Sequence, residues 1–233
     1  MVSSKSLNAV SGLLFGLFLV MHLLSHYAIT LAGYDDANEV YLQGLRKMYR
    51  NPIFEAVLFG SLITHMYSNV CLYMSRNRIA STVKEDDNKK KKVGTKELNA
   101  HRIAGYFLSL SIFGHVTATR LVPMFILDDS SEYDYSFIID AANHLPGPFF
   151  FVYLALLGIT GGWHLIYGSW SAIATLRGGS IRGKSMPMVL KVAAMVNHLI
   201  IVLSIMVLGG VFYKIDVSSK SHLHSQVSSA LGL

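Results

Sequence analysis

Apolar residues along this chain gather into long blocks instead of recurring at short period. Five blocks run from about Leu7 to Ala32, Ile53 to Met74, Ile103 to Leu127, Pro148 to Leu176 and Val189 to Phe212. Each approaches or exceeds the roughly 20 residues that a helix needs to cross a bilayer. No stretch alternates with period two over about 10 residues, which disfavours a β-barrel. The pattern predicts an all-α membrane protein: residues 1–213 form one domain of five transmembrane helices, and residues 214–233 form a polar, Ser-rich tail. Prolines mark the boundaries, with Pro52 before span two, Pro123 closing span three, and Pro146 and Pro148 opening span four.

The blocks also repeat. Leu7-Asn8-Ala9 precedes Gly12, and His22 follows that glycine by ten residues; Leu98-Asn99-Ala100 precedes Gly105, and His115 follows by ten. Each copy leads into a proline-opened span with its own central histidine, His65 after Pro52 and His164 after Pro148. The chain therefore reads as two parallel helical hairpins plus a fifth span, with a histidine near the middle of each of the first four. Parallel copies place His22 and His115 at one depth and His65 and His164 at another.

Composition agrees with this class, at 52% hydrophobic and 15% charged over 233 residues. The net charge of +6 is unevenly placed: Lys5 and the 76–102 and 177–191 connections hold 14 of the 20 Lys and Arg residues. The positive-inside rule then puts the N-terminus on the matrix or cytoplasmic side and the C-terminus across the membrane. The run Lys89 to Lys92 reads as a solvated loop that could also touch anionic lipid or an acidic partner. It has no interleaved aromatics and sits between spans, so nucleic acid is not expected. In the acidic connection Asp128, Asp129, Glu132, Asp134 and Asp140 accompany Tyr133, Tyr135 and Phe137, a composition that suggests an interfacial segment. Cys71 lies inside a span and forms no disulfide framework. The first block is too long for a signal peptide, and no Arg-rich transit segment opens the chain, so a mitochondrial address would be internal or already removed.

Paired intramembrane histidines fit haem ligation, in which two neutral imidazoles bind one iron from facing helices. Small residues near each histidine leave room for a flat macrocycle: Ser61, Ser68 and Asn69 around His65; Ser111, Ala118 and Thr119 around His115; Thr160, Gly161 and Gly168 around His164. The same residues also let two helices pack closely with no cofactor. His22 has Phe18 before it and His26 after it, so His26 is a competing ligand. A dinuclear metal cage would want carboxylates, and Glu55 is the only one in a span. Proton transport would want the same. His198, beside Asn197, reads as a helix contact or part of a quinone pocket, and His222 and His224 carry no assignment. The chain has no nucleophile, flavin fingerprint or iron-sulfur cysteine set, hence no catalytic site of its own.

The segment HRIAG at 101–105 resembles the HR-x-x-G motif of the succinate dehydrogenase cytochrome b subunit, and HLIYG at 164–168 resembles the H-x-x-x-G of that family's second span. The match implies a haem-ligand role for His164 and a quinone or haem-propionate contact for Arg102. The family's serine three residues before the HR pair is Leu98 here, and its second histidine after the glycine is Ser171. A longer resemblance covers most of the chain. RKMYRNPIFEAVLFGSLITH, AGYFLSLSIFGHVTATRLVP and LLGITGGWHLIYG are similar to segments of the fungal mitochondrial adaptor transmembrane-domain family, within the same cytochrome b superfamily. In that family the positions of His22, His65, His115 and His164 are histidines, and Arg120 and Pro123 belong to its R-x-x-P ending. Members anchor a lipid-transfer protein through a proline-containing extension ahead of the first span.

Two expectations of different class follow. In one, the protein is a mitochondrial cytochrome b of complex II type, in the inner in preference to the outer membrane. It holds haem b between His22 and His115 and again between His65 and His164, as in the two-haem fumarate reductase cytochromes that the pattern resembles, with one haem as the alternative. Arg46, Arg50, Arg102 and Arg120 then offer charge-assisted hydrogen bonds to propionates. Partner flavoprotein and iron-sulfur subunits of a succinate:quinone oxidoreductase would supply electrons, ubiquinone could receive them, and lipid could fill grooves between the hairpins. In the other, the protein is a non-redox membrane adaptor or structural subunit.

Overall fold

A computed structural model describes residues 3–82, 95–127, 133–144, 147–181, 183–218, 225–227 and 229. Among these the chain is 86% helical with no strand. The elements in order are α1 (Ser4–Ala32), α2 (Tyr34–Asp36), a π-helical turn (Ala37–Gln43), α3 (Gly44–Tyr49), α4 (Pro52–Thr82), α5 (Lys96–Val116), a second π turn (Thr117–Leu121), α6 (Val122–Ile126), α7 (Tyr135–His144), α8 (Gly147–Leu176) and α9 (Met188–Leu208). Lys84, Lys89 to Lys92, Asp128, Asp129, Glu132, Pro146, His222 and His224 lie outside the described residues.

Among the described residues four helical stretches are long and apolar enough to cross a membrane: Ser4–Ala32, Lys96–Ile126, Phe149–Leu176 and Met188–Leu208. The protein is thus multi-pass and helical. The stretch expected as the second span forms α4, a helix of 31 residues. Its apolar content is diluted by Glu55, Ser61, Thr64, His65, Ser68 and Asn69, and by length and composition it is not among the four. The third block, expected over Ile103 to Leu127, is helical as far as Ile126, and the helix passes through Pro123, which was expected to close it. Proline lacks an N–H and its ring crowds the carbonyl four residues back. The wider π turn at Thr117–Leu121 falls on that stretch and absorbs the misfit.

α8 is the central helix, packed against α1, α5 and α9, while α4 lies along α1. Only 6% of the most apolar window of Lys96–Ile126 is buried, so α5 stands at the bundle edge. Its Ile103, Tyr106, Leu110 and Phe113 are exposed at helical spacing, a face suited to lipid. Gly33, at φ +81°, ends α1 in a backbone conformation that other residues rarely adopt.

The described part of the connection expected at the interface packs onto the bundle as a buried cap. Tyr135 is fully buried and donates its hydroxyl hydrogen to the Ser25 carbonyl of α1 at 2.6 Å. Beside it Asp134 is buried, accepting from Asn38 Nδ2 at 3.0 Å and from the Ser136 amide at 2.8 Å. Ile29, Leu42, Ile139 and Leu208 close around Tyr135 in the main apolar cluster. Burial raises the pKa of Tyr133 and of Tyr135, with the Arg46 guanidinium opposing it, so both phenols stay protonated donors. Tyr135→Phe should cost about 1–2 kcal/mol by deleting this buried hydrogen bond. A lowered thermal-unfolding midpoint of the detergent-solubilised protein would register that loss.

Candidate functional site: two histidine pairs across the bundle

α1 and α5 present the same seat for a ring arriving from a neighbouring helix. On α1, the carbonyl of Asn8 accepts a hydrogen bond from His65 Nδ1 of α4 at 3.2 Å. One turn on, a Cβ added at Gly12 would come within 2.9 Å of that ring, so only glycine leaves it room. On α5, the carbonyl of His101 accepts from His164 Nδ1 of α8 at 3.3 Å, and a Cβ at Gly105 would lie 3.0 Å from the ring. Carbonyl, glycine and ring therefore recur as a unit. Because a carbonyl can only accept, Nδ1 carries the proton in both rings, and Nε2 keeps its lone pair.

The seats bring the expected partners together. His65 and His164 have ring centres 6.2 Å apart with planes at 84°. Ten residues beyond each glycine, about 15 Å along the helices, His22 and His115 stand 5.9 Å apart at 75°. Two imidazoles bound to one metal from opposite sides, through bonds of about 2 Å, have ring centres roughly 6 Å apart. A backbone acceptor on Nδ1 is also the usual way that a metal-ligating histidine is oriented. Gly161 is buried one turn before His164, and a Cβ there would meet nothing within 4 Å. The donor set and its spacing fit haem b. Among the described residues no cluster of three or more His, Cys, Asp or Glu side chains is placed to hold a metal ion.

Each pair has a third imidazole beside it. His26 lies edge-on to His22 at 4.7 Å and against Tyr135 at 5.6 Å, while Phe18 stacks on His22 at 5.4 Å. His22 Nδ1 is buried with no hydrogen-bond partner among the described residues. At the other seat His101 stacks on His164 at 4.1 Å and 13°. A Cβ at Gly168 would approach that His101 ring at 3.2 Å, so this glycine makes room for His101. His101 was not among the expected site residues, although the HR pair at 101–102 pointed to its position.

The arginines divide between the two ends. Arg102 is exposed on α5 next to His101. Arg46 is buried near the other pair, donates to the Tyr133 carbonyl and lies 5.5 Å over the Tyr133 ring. Arg120 forks onto Glu55, with Nε 2.7 Å from one carboxylate oxygen and a terminal nitrogen 3.0 Å from the other. Partial burial and the guanidinia of Arg46 and Arg120 push the pKa of Arg50 down. Arg46, Arg50 and Arg120 thus form one basic group at the far end of α1, already engaged with protein partners.

Comparison with family models, with characterised proteins and with solved structures gave no match.

The seats make a direct prediction. Gly12→Val and Gly105→Val should each lower stability by about 1–3 kcal/mol by driving a side chain into a seated ring. Gly60→Val, where a Cβ meets nothing within 4 Å, is the matched control and should be tolerated. Equal thermal-unfolding midpoints for all three variants would contradict the seat.

Proposed function

We propose that the chain is a membrane-bound cytochrome of b type that holds two haems, one between His22 and His115 and one between His65 and His164. The observation that carries this reading is the ring separation of 5.9 and 6.2 Å in two pairs set ten residues apart on parallel helices. Bound haem b would supply reversible one-electron chemistry. His65 and His164 present neutral rings whose Nδ1–H groups are fixed on backbone carbonyls, which aims Nε2 for ligation and raises its basicity. Small residues around the rings keep the space between helices open, and the lipid-facing exterior excludes water. Arg102 at one end and Arg46, Arg50 and Arg120 at the other offer positive charge to propionates.

Two sites at different depths make the bundle an electron path across the membrane. In this reading α4 crosses as a fifth span, because its His65 must reach the same layer as His164. A complex II type anchor in the mitochondrial inner membrane is the setting that the sequence resemblance implies, with flavoprotein and iron-sulfur subunits as electron donors and ubiquinone as acceptor.

A pyridine haemochrome assay on protein purified in mild detergent, after expression with haem supplied, should find about two haems b per chain. His115→Ala and His164→Ala should each remove about one haem, and His26→Ala none. Full haem content in both of the first two variants would end the paired-ligand assignment. No haem in a folded wild-type preparation would favour the non-redox adaptor reading. For the topology, tags at the two ends should prove protease-accessible from opposite faces of sealed vesicles. Accessibility from one face would leave four spans.

A further inference from the structure

His164 is held twice by one residue of α5. The carbonyl of His101 accepts from its Nδ1 at 3.3 Å, and the ring of His101 lies flat on the ring of His164, with centres 4.1 Å apart and planes at 13°. A hydrogen bond of that length is a loose restraint, and rotation about Cβ–Cγ of a histidine has broad minima, so the bond alone leaves the ring free to twist. A second ring packed on its face stops the twist, because turning His164 would drive its edge into His101.

The His101 ring is itself fixed from α8. A Cβ at Gly168 would come within 3.2 Å of it, and the buried Tyr167 lies against it at 4.9 Å and 34°. Trp163 stacks on Tyr167 at 6.3 Å and 22°, and Trp170 meets Tyr167 edge-on at 5.7 Å. The wall behind His164 is thus a block of aromatic rings from two helices. His101 Nδ1 is buried without a hydrogen-bond partner among the described residues, so on that side the imidazole serves by its face and not by its nitrogen. His65 has no such wall: among the described residues its ring contact is His164, edge-on at 84°. Of the two rings in that pair, His164 has its plane fixed by stacking and His65 does not.

We infer, on the strength of the two-haem reading above, that His101 is a positioning residue whose ring sets the plane of His164 and so holds it across that of His65. The planes of two imidazoles on one ferric iron shape its magnetic spectrum. Crossed planes leave two d orbitals nearly equal in energy and give a strongly anisotropic low-spin signal, whereas parallel planes separate them and give a rhombic one. The test is low-temperature electron paramagnetic resonance of the oxidised, haem-loaded, full-length protein, with haemochrome counts on the same samples. Wild type, with its pairs at 84° and 75°, should show two strongly anisotropic signals. His101→Ala keeps the carbonyl and removes the ring, so it should retain both haems yet move one signal towards the rhombic kind. The signal of the His22 and His115 pair is the internal control and should not move. His101→Phe, which restores a flat face, should return the wild-type spectrum. If His101→Ala instead loses one haem, its recovery in His101→Phe reports the same stack. Two haems with an unchanged spectrum in His101→Ala, or a His101→Phe protein that behaves as His101→Ala does, would overturn the assignment. A folded wild type without haem would fail the two-haem reading itself, and the haemochrome count separates that outcome from a spectrum that merely stays the same.

Discussion

The constraint on which the rest of this bundle depends is the lodging of two imidazole rings against two glycines. A ring of that size fits between packed helices only where the opposing backbone has no Cβ, and its polar edge is stable there only if a carbonyl meets it. Asn8 and Gly12 meet both conditions for His65, and His101 and Gly105 meet both for His164. The contact fixes how α4 lies on α1 and how α5 lies on α8. Those two pairings then set where His22 and His115 arrive. The candidate site is thus a product of helix register.

Around that register the rest of the fold is arranged to spend little polar surface in the apolar layer. Ser68 donates to the Asn8 side chain at 3.0 Å, Thr119 to the His115 carbonyl at 2.7 Å, and Thr30 and Ser204 share a hydrogen bond at 2.7 Å. Tyr27 and Asn197 bond across α1 and α9. The one carboxylate in α4 is neutralised by a two-point ion pair with Arg120. These polar side chains tie helices together or fold back onto their own backbone, as expected where water is scarce.

Much of this was legible in the sequence. Long apolar blocks predicted helices, and the ten-residue spacing from glycine to histidine predicted which rings face each other. The Leu-Asn-Ala triplets were a false guide, because the carbonyls that seat the rings belong to Asn8 and His101, two residues out of step with the triplets. Pro123 misled as a stop signal, since a π turn lets the helix pass through it. The burial of α7 was hidden for another reason. Tyr133, Tyr135 and Phe137 look interfacial by residue type, and only the meeting of α1, α7 and α9 shows that they are covered. His101 escaped notice because its role depends on a ring more than sixty residues away.

The two halves of the repeat are no longer equivalent. Where one copy has the amide of Asn8, itself bonded to a serine, the other has a second imidazole lying flat on the first. An amide dipole and a polarisable π-system respond differently when charge arrives nearby. Because His65 and His164 face each other, these two linings are the opposite walls of one layer of the bundle, and that layer is polar on one side and aromatic on the other. Divergence between the two copies would in this way turn a symmetric scaffold into one whose facing walls are unlike.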